Sequence, residues 1–229
     1  MAATLASTLR PNLSAIDESL HEVQKDWPLI DLELAQHRIG RKDPFTECLR
    51  QNMLSAYAHL DHLIRRDIEP FSTKGVAQML TLNNRVHYGN DKALMAEFKS
   101  AISANAEKFH TNIGAIARWY RRHADRGDHP YKLAAETYVS ILGQPQLFIE
   151  GNHRTGSLIA SWINLRAGYP PFVLSVANAV AYFAPSAEIK LFGDRSTWRG
   201  RRRLPKYRRS FRDFWEHHVE EKYVRRVLE

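Results

Sequence analysis

The chain has 229 residues, of which 44% are hydrophobic and 25% are charged. A chain of this length and composition can bury a core of its own, which excludes a disordered or fibrous protein and argues against two full domains. The net charge at pH 7 is +8, from 33 basic and 25 acidic residues. Nine of the basic residues lie between Arg195 and Arg212, where no acidic residue occurs, and without them 24 basic residues face 25 acidic ones. The positive charge therefore belongs to one segment on a nearly neutral body.

Cysteine usage and the start of the chain indicate a compartment. Cys48 is the single cysteine, which excludes an intramolecular disulfide and a multi-cysteine metal site and favours a reducing environment. The first residues lack the basic and apolar regions of a secretory signal, and no run approaches the roughly 18 apolar residues that span a bilayer. We therefore expect a soluble, cytoplasmic protein without membrane contact.

Helical periodicity of apolar residues dominates the sequence and predicts an all-α domain. Pro44 and Pro130 fit first-turn positions, and N-caps are expected at Ser72, at Ser175 and at Asp128 or His129. Trp27-Pro28 is expected to close the first helix, and Gly89-Asn90-Asp91 to stop the helix that begins at Ser72. The predicted helices cover Leu13 to about Trp27, Asp43 to Ile68, Ser72 to about Tyr88, Lys92 to Ser100, Ile113 to His123, Asp128 to Gly143, Thr155 to Ala167, Ser175 to Phe183 and Phe211 to Leu228. The segment from Ala101 to Thr111 stays open between a loop and a short hairpin.

Three regions are expected. Residues 1–71 supply helices that pack on a core formed by residues 72–190. Residues 191–229 add the basic segment and a last amphipathic helix. The basic segment has two interpretations, a polyanion contact in which aromatic residues interleave with arginines, and an extended strap that crosses the domain.

The loop from Phe148 to Arg154 has the residues of an anion site. Gly151 permits a positive φ and a helix begins just after it, so backbone N–H groups and the helix dipole favour an anion there. Arg154 can add a positive fork for phosphate, and Glu150 can hold a divalent cation on phosphate oxygens. The alternative is an ordinary helix connection in which Glu150 favours the helix N-terminus and Arg154 is solvated.

The run Gln146-Leu-Phe-Ile-Glu-Gly-Asn-His-Arg-Thr-Gly-Ser157 resembles the signature of the Fic family, His-Pro-Phe-x-Asp/Glu-Gly-Asn-Gly-Arg-x-x-Arg. Flanking stretches from about Ser72 to Phe183 resemble the same family. The resemblance implies a Fic-type helical bundle with a short β-hairpin flap, and an enzyme that transfers AMP from ATP to a protein hydroxyl with Mg²⁺ on the diphosphate. It also implies roles for the matched residues: Phe148 anchors the loop, Glu150 binds Mg²⁺, and Gly151, Asn152 and Arg154 hold phosphate.

Three positions depart from that signature. Gln146 replaces the histidine that accepts the hydroxyl proton, and a carboxamide cannot act as a general base near neutral pH. His153 replaces the second glycine, where a branch of the family that phosphorylates its target has lysine; it could reorient the nucleotide, replace the lost base, or only hydrogen bond across the loop. Ser157 replaces the second arginine, which usually holds the γ-phosphate.

These positions predict a diverged Fic-domain protein that binds a nucleotide or another phosphorylated ligand. If active, it transfers AMP or a phosphoryl group to a protein target, with Gln146 or His153 in altered catalytic roles. A silenced pseudoenzyme that serves as a regulatory or binding module is the alternative, and a basic scaffold that binds nucleic acid through Arg195 to Arg212 is the third. The sequence leaves open whether the chain forms a homodimer.

Overall fold

The computed structural model describes residues 9–39 and 44–227. Within these ranges the chain is all-α apart from one short antiparallel ladder, which confirms the predicted class. The helices are α1 (Leu13–Lys25), α2 (Trp27–Gln36), α3 (Glu47–Arg65), α4 (Thr73–Tyr88), α5 (Lys92–Glu97), α6 (Lys99–Asp125), α7 (Pro130–Leu142), α8 (Asn152–Arg166), α9 (Ala179–Phe192) and α10 (Trp198–His218). A 3-10 turn (Glu221–Tyr223) precedes strand β2 (Val224–Arg226), which pairs with β1 (Leu9–Pro11).

The antiparallel pair α7 and α8 forms the centre of the core. Every residue of α8 from Thr155 to Leu165 is buried, because α3, α4 and α7 pack around this helix. Gly156 allows the close contact with α7, since a β-carbon there would lie 3.0 Å from the ring of Tyr138. A helix that is buried on all sides has a firmly placed N-terminus, so α8 also fixes the position of the loop that leads into it.

Several predicted helix ends are confirmed by their caps. The Ser72 hydroxyl accepts a hydrogen bond from the Gly75 N–H at 3.0 Å, and Gly89 ends α4 with a φ of +57°. His129 caps α7 by accepting from the Tyr131 N–H at 3.3 Å, with Pro130 in the first turn. These residues specify the helix ends locally, which is why the sequence predicts them.

Other predicted ends are wrong. Trp27 and Pro28 begin α2 at its first positions instead of only closing α1. Thr46 caps α3, so Pro44 lies before its first turn, and Asp43 lies outside the described residues. α9 begins at Ala179, not after Ser175, whose N–H donates to the Asn178 side chain at 2.9 Å.

The segment from Ala101 to Thr111 is neither a loop nor a hairpin. It belongs to α6, which runs unbroken from Lys99 to Asp125. Asn105 and Phe109 are buried on the same face of the helix. The structure therefore has a helix here and no hairpin flap of the kind that the family resemblance implies.

The basic segment is also helical. α10 begins at Trp198 and buries Leu204, Tyr207 and Phe211, so the extended strap is wrong. The helix ends at His218 instead of continuing toward Leu228, which lies outside the described residues. β2 then returns the chain to β1. None of the helices in the described ranges is both long and apolar enough to cross a membrane.

Candidate functional site

The loop between α7 and α8 opens on a cavity of about 450 Å³. All of the predicted site residues except Phe148 line this cavity. They are Gln146, Glu150, Gly151, Asn152, His153, Arg154 and Ser157. The structure therefore brings the predicted residues together on one wall of one cavity.

Apart from Ile149 of the loop, the remaining lining comes from distant parts of the chain and is mostly apolar. It includes aromatic and aliphatic side chains of α1, α3 and α9 and of the segments that precede α3 and α9, with Lys190 as a further cation. The apolar members are Leu20, Ile39, Phe45, Leu49, Met53, Tyr57, Phe172, Leu174, Tyr182, Phe183 and Ala187. A cavity with one polar wall and one apolar wall suits a ligand that has a charged end and a flat, weakly polar end.

Gly151 sets the geometry at the start of α8. It is the N-cap residue with a left-handed φ of +74°, and the first backbone hydrogen bond of the helix runs from the Thr155 N–H to its carbonyl at 2.9 Å. No side chain caps this helix end. The positive end of the helix dipole therefore faces the cavity without a capping carboxylate or hydroxyl, which favours an anion there.

Phe148 and Asn152 hold the loop in shape. The Asn152 carboxamide accepts from the Phe148 N–H at 2.9 Å and donates to the Phe148 carbonyl at 3.0 Å. The Phe148 ring is fully buried and stacks on Phe109 with centroids 5.3 Å apart. Phe148 is thus packed into the core, while the Asn152 side chain is engaged by the loop itself.

Two buried asparagine side chains, which the sequence analysis did not select, hydrogen bond to the loop on its core side. Asn83 donates to the Glu150 carbonyl at 3.1 Å and to the Thr155 hydroxyl at 2.9 Å. Asn105 donates to the Asn83 side chain at 2.8 Å and accepts from the Ile149 N–H at 2.8 Å. Both side chains are buried. Two asparagines at buried positions of otherwise apolar helix faces were the available signal.

His87 adds to the electrostatics of the loop. Its ring lies against Gly151 and hydrogen bonds to the backbone of Glu150. Burial lowers the pKa of His87 below its usual value of 6.5, and the positive charge of Arg154 lowers it further. Arg154 itself donates to the Val86 carbonyl at 2.7 Å. One edge of the guanidinium is therefore fixed to α4 while the residue still lines the cavity.

The hydroxyl groups next to His153 favour one of its two tautomers. Ser186 donates its proton to the Tyr182 carbonyl at 2.7 Å, so its oxygen accepts the proton of Tyr138 at 2.8 Å. The Tyr138 oxygen then accepts from Nδ1 of His153 at 3.4 Å. With Tyr138 as the acceptor in this contact, a neutral His153 would have its proton on Nδ1 and its lone pair on Nε2.

The two other departures from the family signature carry no basic group. Gln146 donates to the Leu142 carbonyl at 3.4 Å, and the Ser157 hydroxyl donates to the Arg154 carbonyl at 2.8 Å. Glu150 is exposed at the cavity edge. Throughout the described ranges, no group of three or more His, Cys, Asp or Glu side chains is arranged to hold a metal ion.

The junction of α9 and α10 supports the beginning of the loop. The Gln144 N–H donates to the Gly193 carbonyl at 3.1 Å, and the Arg195 N–H donates to the Gln144 carbonyl at 3.0 Å. The Arg195 guanidinium also donates to the Pro145 carbonyl at 2.9 Å. Arg195, the first residue of the basic segment, is therefore a structural contact of the loop.

Comparisons of the chain with protein-family models, with curated proteins and with solved structures found no match. A function for this chain therefore rests on its own residues and their geometry. The cavity before α8 combines the positive end of a helix, an arginine that is hydrogen bonded to α4, and an apolar wall.

Proposed function

We propose that this chain is a diverged Fic-type protein that binds a nucleotide, or another phosphorylated ligand, in the cavity in front of α8. The observation that carries the proposal is the loop from Gln146 to Arg154, in which Gly151 turns the backbone into a helix start that faces the cavity. Arg154 and Lys190 line the same cavity. A helix N-terminus with an arginine beside it binds phosphate, and the apolar wall accommodates a base.

Magnesium fits this site only together with the ligand. Mg²⁺ in proteins is often bound by one or two carboxylates and the phosphates of a substrate. Glu150 is the carboxylate that lines the cavity, and it would hold the ion from the edge of the loop. Bound there, Mg²⁺ would neutralise phosphate charge and orient the phosphate groups.

An active protein would transfer AMP or a phosphoryl group to a hydroxyl of a protein target. The hydroxyl oxygen forms a bond to phosphorus while the bond from that phosphorus to the leaving group breaks, which releases pyrophosphate in AMP transfer and ADP in phosphoryl transfer. The hydroxyl proton passes to the His153 imidazole, whose Nδ1 lies 3.4 Å from the Tyr138 hydroxyl oxygen. Gln146 would orient the hydroxyl or a water molecule by hydrogen bonding, since it cannot take the proton.

A silenced Fic protein is the second candidate, and two contacts favour it. Gln146 and Ser157 each donate to a backbone carbonyl, of Leu142 and of Arg154. Neither side chain supplies the base or the second phosphate arginine of the family signature. Such a protein would keep the phosphate cavity for regulation or for binding a partner.

Calorimetry tests ligand binding. We expect ATP or ADP to bind the unaltered chain, more tightly with Mg²⁺, and Arg154→Ala to weaken binding at least tenfold. Arg118→Ala, which removes an exposed arginine from α6, is the matched control. Thermal unfolding of both variants separates loss of binding from loss of the contact between Arg154 and Val86. The proposal fails if no phosphorylated ligand binds, or if Arg154→Ala binds the ligand as tightly as the unaltered chain does.

Labelling with α-labelled and γ-labelled ATP separates the two candidates. If the unaltered chain labels a protein and His153→Gly abolishes the labelling, the enzyme is active through His153. If only Gln146→His labels a protein, the chain is a silenced member whose missing base can be restored. Labelling from the α-position reports AMP transfer, and labelling from the γ-position alone reports phosphoryl transfer.

A further inference from the structure

The basic segment forms the outer face of a folded helix. α10 turns Leu204, Tyr207, Phe211, Phe214 and Trp215 toward the core. Its arginines and lysine consequently lie on the solvent side, where Arg199, Arg202, Lys206, Arg209 and Arg212 are all exposed. We call these five residues the α10 basic face.

Most of this charge is not neutralised by the protein. Arg208 pairs with Glu136 at 3.3 Å and Arg212 contacts Asp213 at 3.4 Å. In the described part of the chain, Arg199, Arg202, Lys206 and Arg209 form no ion pair with a carboxylate. Charges placed this densely repel one another, and an anionic partner relieves that repulsion.

A groove beside the basic face offers a place for phosphate. It has a volume of about 280 Å³ and lies between α7 and α10. Four cations and one carboxylate line it, together with Pro205: Lys132, Arg208, Arg209, Arg212 and Glu136. The groove therefore has an excess of positive charge and a concave shape.

Exposed aromatic rings of α9 and α10 lie near the N-terminal end of α10, where Arg202 and Arg203 contact them. Trp198 is 62% exposed and Phe192 is 47% exposed. The guanidinium of Arg202 lies 4.6 Å from the centre of the Trp198 ring, and that of Arg203 lies 4.7 Å from the centre of the Phe192 ring. Arginines that stack on exposed rings make flat platforms on which unpaired bases also stack.

We propose that α10 binds single-stranded nucleic acid, with phosphates along the α10 basic face and in the groove, and with bases on Trp198 and Phe192. The distance along the helix from Trp198 to Arg212 is about 21 Å, a length suited to a short run of nucleotides. The exposed rings favour unpaired bases over an acidic peptide, which has no flat ring to stack. A membrane surface fits poorly because the apolar face of α10 is already buried in the core.

Fluorescence anisotropy with the full chain and a labelled oligouridine of about 12 nucleotides tests the proposal. We expect binding whose log affinity falls with log salt concentration at a slope of about −3, as four phosphate contacts predict. Arg209→Ala combined with Arg212→Ala should weaken binding at least tenfold at low salt. Arg118→Ala combined with Arg122→Ala removes two exposed arginines from α6, and the affinity for oligouridine should change less than twofold.

Trp198→Ala identifies the class of partner. We expect it to weaken oligouridine binding about tenfold through lost stacking and to leave the weak binding of polyglutamate unchanged. Salt-independent binding would overturn the proposal. So would a Trp198→Ala variant that binds oligouridine as well as the unaltered chain does, or polyglutamate or anionic lipid vesicles that bind as tightly as oligouridine. The result does not depend on the nucleotide cavity, because none of these variants changes a residue that lines it.

Discussion

Gly151 and His87 are in such close contact that any β-carbon at residue 151 would overlap the imidazole ring. The same β-carbon would lie 2.9 Å from the Asn83 amide nitrogen. The glycine is therefore required twice, once by its left-handed φ of +74° and once by the space behind it. Helix α4 consequently determines how the backbone turns at the entrance of α8.

Gly151→Ala should both destabilise the protein and abolish ligand binding in the cavity. Gly127→Ala is the matched control, because Gly127 has a φ of +75° and no atom within 4 Å of the position of a β-carbon. Both variants lose about 1 to 2 kcal/mol from the left-handed backbone. We expect Gly151→Ala to lose a further 1 to 3 kcal/mol or so from overlap. Urea unfolding and calorimetry measure the two effects, and equal losses in the two variants would contradict the steric argument.

Asn83→Ala should be strongly destabilising. It leaves the Glu150 carbonyl, the Thr155 hydroxyl and the Asn105 amide without the bonds that Asn83 makes to them. Burial of unsatisfied polar groups predicts a loss of about 3 kcal/mol. Asn84→Ala, one residue along the same helix and half-buried, should lose less than about 1 kcal/mol. Chemical denaturation of the two variants provides the comparison, and similar losses would argue against the amide pair.

The unfolding free energy should decrease as the pH falls below about 6.5. The pKa of His87 is lower in the folded protein than its usual 6.5. Just below pH 6.5, His87 is therefore protonated in the unfolded chain but still neutral in the folded protein. Stability is therefore lost from 6.5 down to the folded pKa, with a slope of at most about 1.4 kcal/mol per pH unit. His59 also has a lowered pKa, so the difference between the unaltered chain and His87→Gln isolates His87. A difference that does not change between pH 7.5 and 5.5 would contradict the prediction.

Tyr138→Phe should change the protonation pattern of His153. In the unaltered chain, nitrogen-15 NMR of the histidine rings should show the neutral ring protonated at Nδ1, because Tyr138 accepts from that nitrogen. The variant removes the acceptor, and we expect the signal to move toward the form protonated at Nε2. Tyr223→Phe removes another buried hydroxyl, which contacts Ser19 at 2.9 Å, and should leave the His153 signal unchanged. A His153 signal that is the same in all three proteins would exclude the proposed tautomer control.

The sequence predicts those parts of the fold that depend on local signals. Ser72, Gly89 and His129 mark helix ends through their own side chains or backbone freedom. The unbroken α6 escapes detection because buried Asn105 interrupts the apolar period, and a polar residue in a core position looks like the end of a pattern. The ladder between β1 and β2 joins residues more than 200 positions apart, which no local pattern reveals.

The candidate site shows the same division. The motif from Gln146 to Ser157 identifies the residues on the cavity wall, since a loop and the helix after it are contiguous in sequence. The supports of that wall, Asn83, Asn105 and His87, come from α4 and α6. Their roles depend on which atoms tertiary packing leaves without a partner, and that cannot be predicted from residue type alone.

The bonds that join Gln144 to Gly193 and Arg195 also link the two proposed ligand surfaces through the backbone. Residue 144 leads into the loop of the cavity, and residue 195 leads into α10. A ligand that shifts one of these two segments must strain the hydrogen bonds between them or move the other segment. Thermodynamic reciprocity then requires that any factor by which an oligonucleotide on α10 changes the affinity of the cavity equals the factor by which the cavity ligand changes the affinity of α10. If both proposed ligands bind, the affinity of one measured with and without the other shows whether these backbone bonds couple the two surfaces.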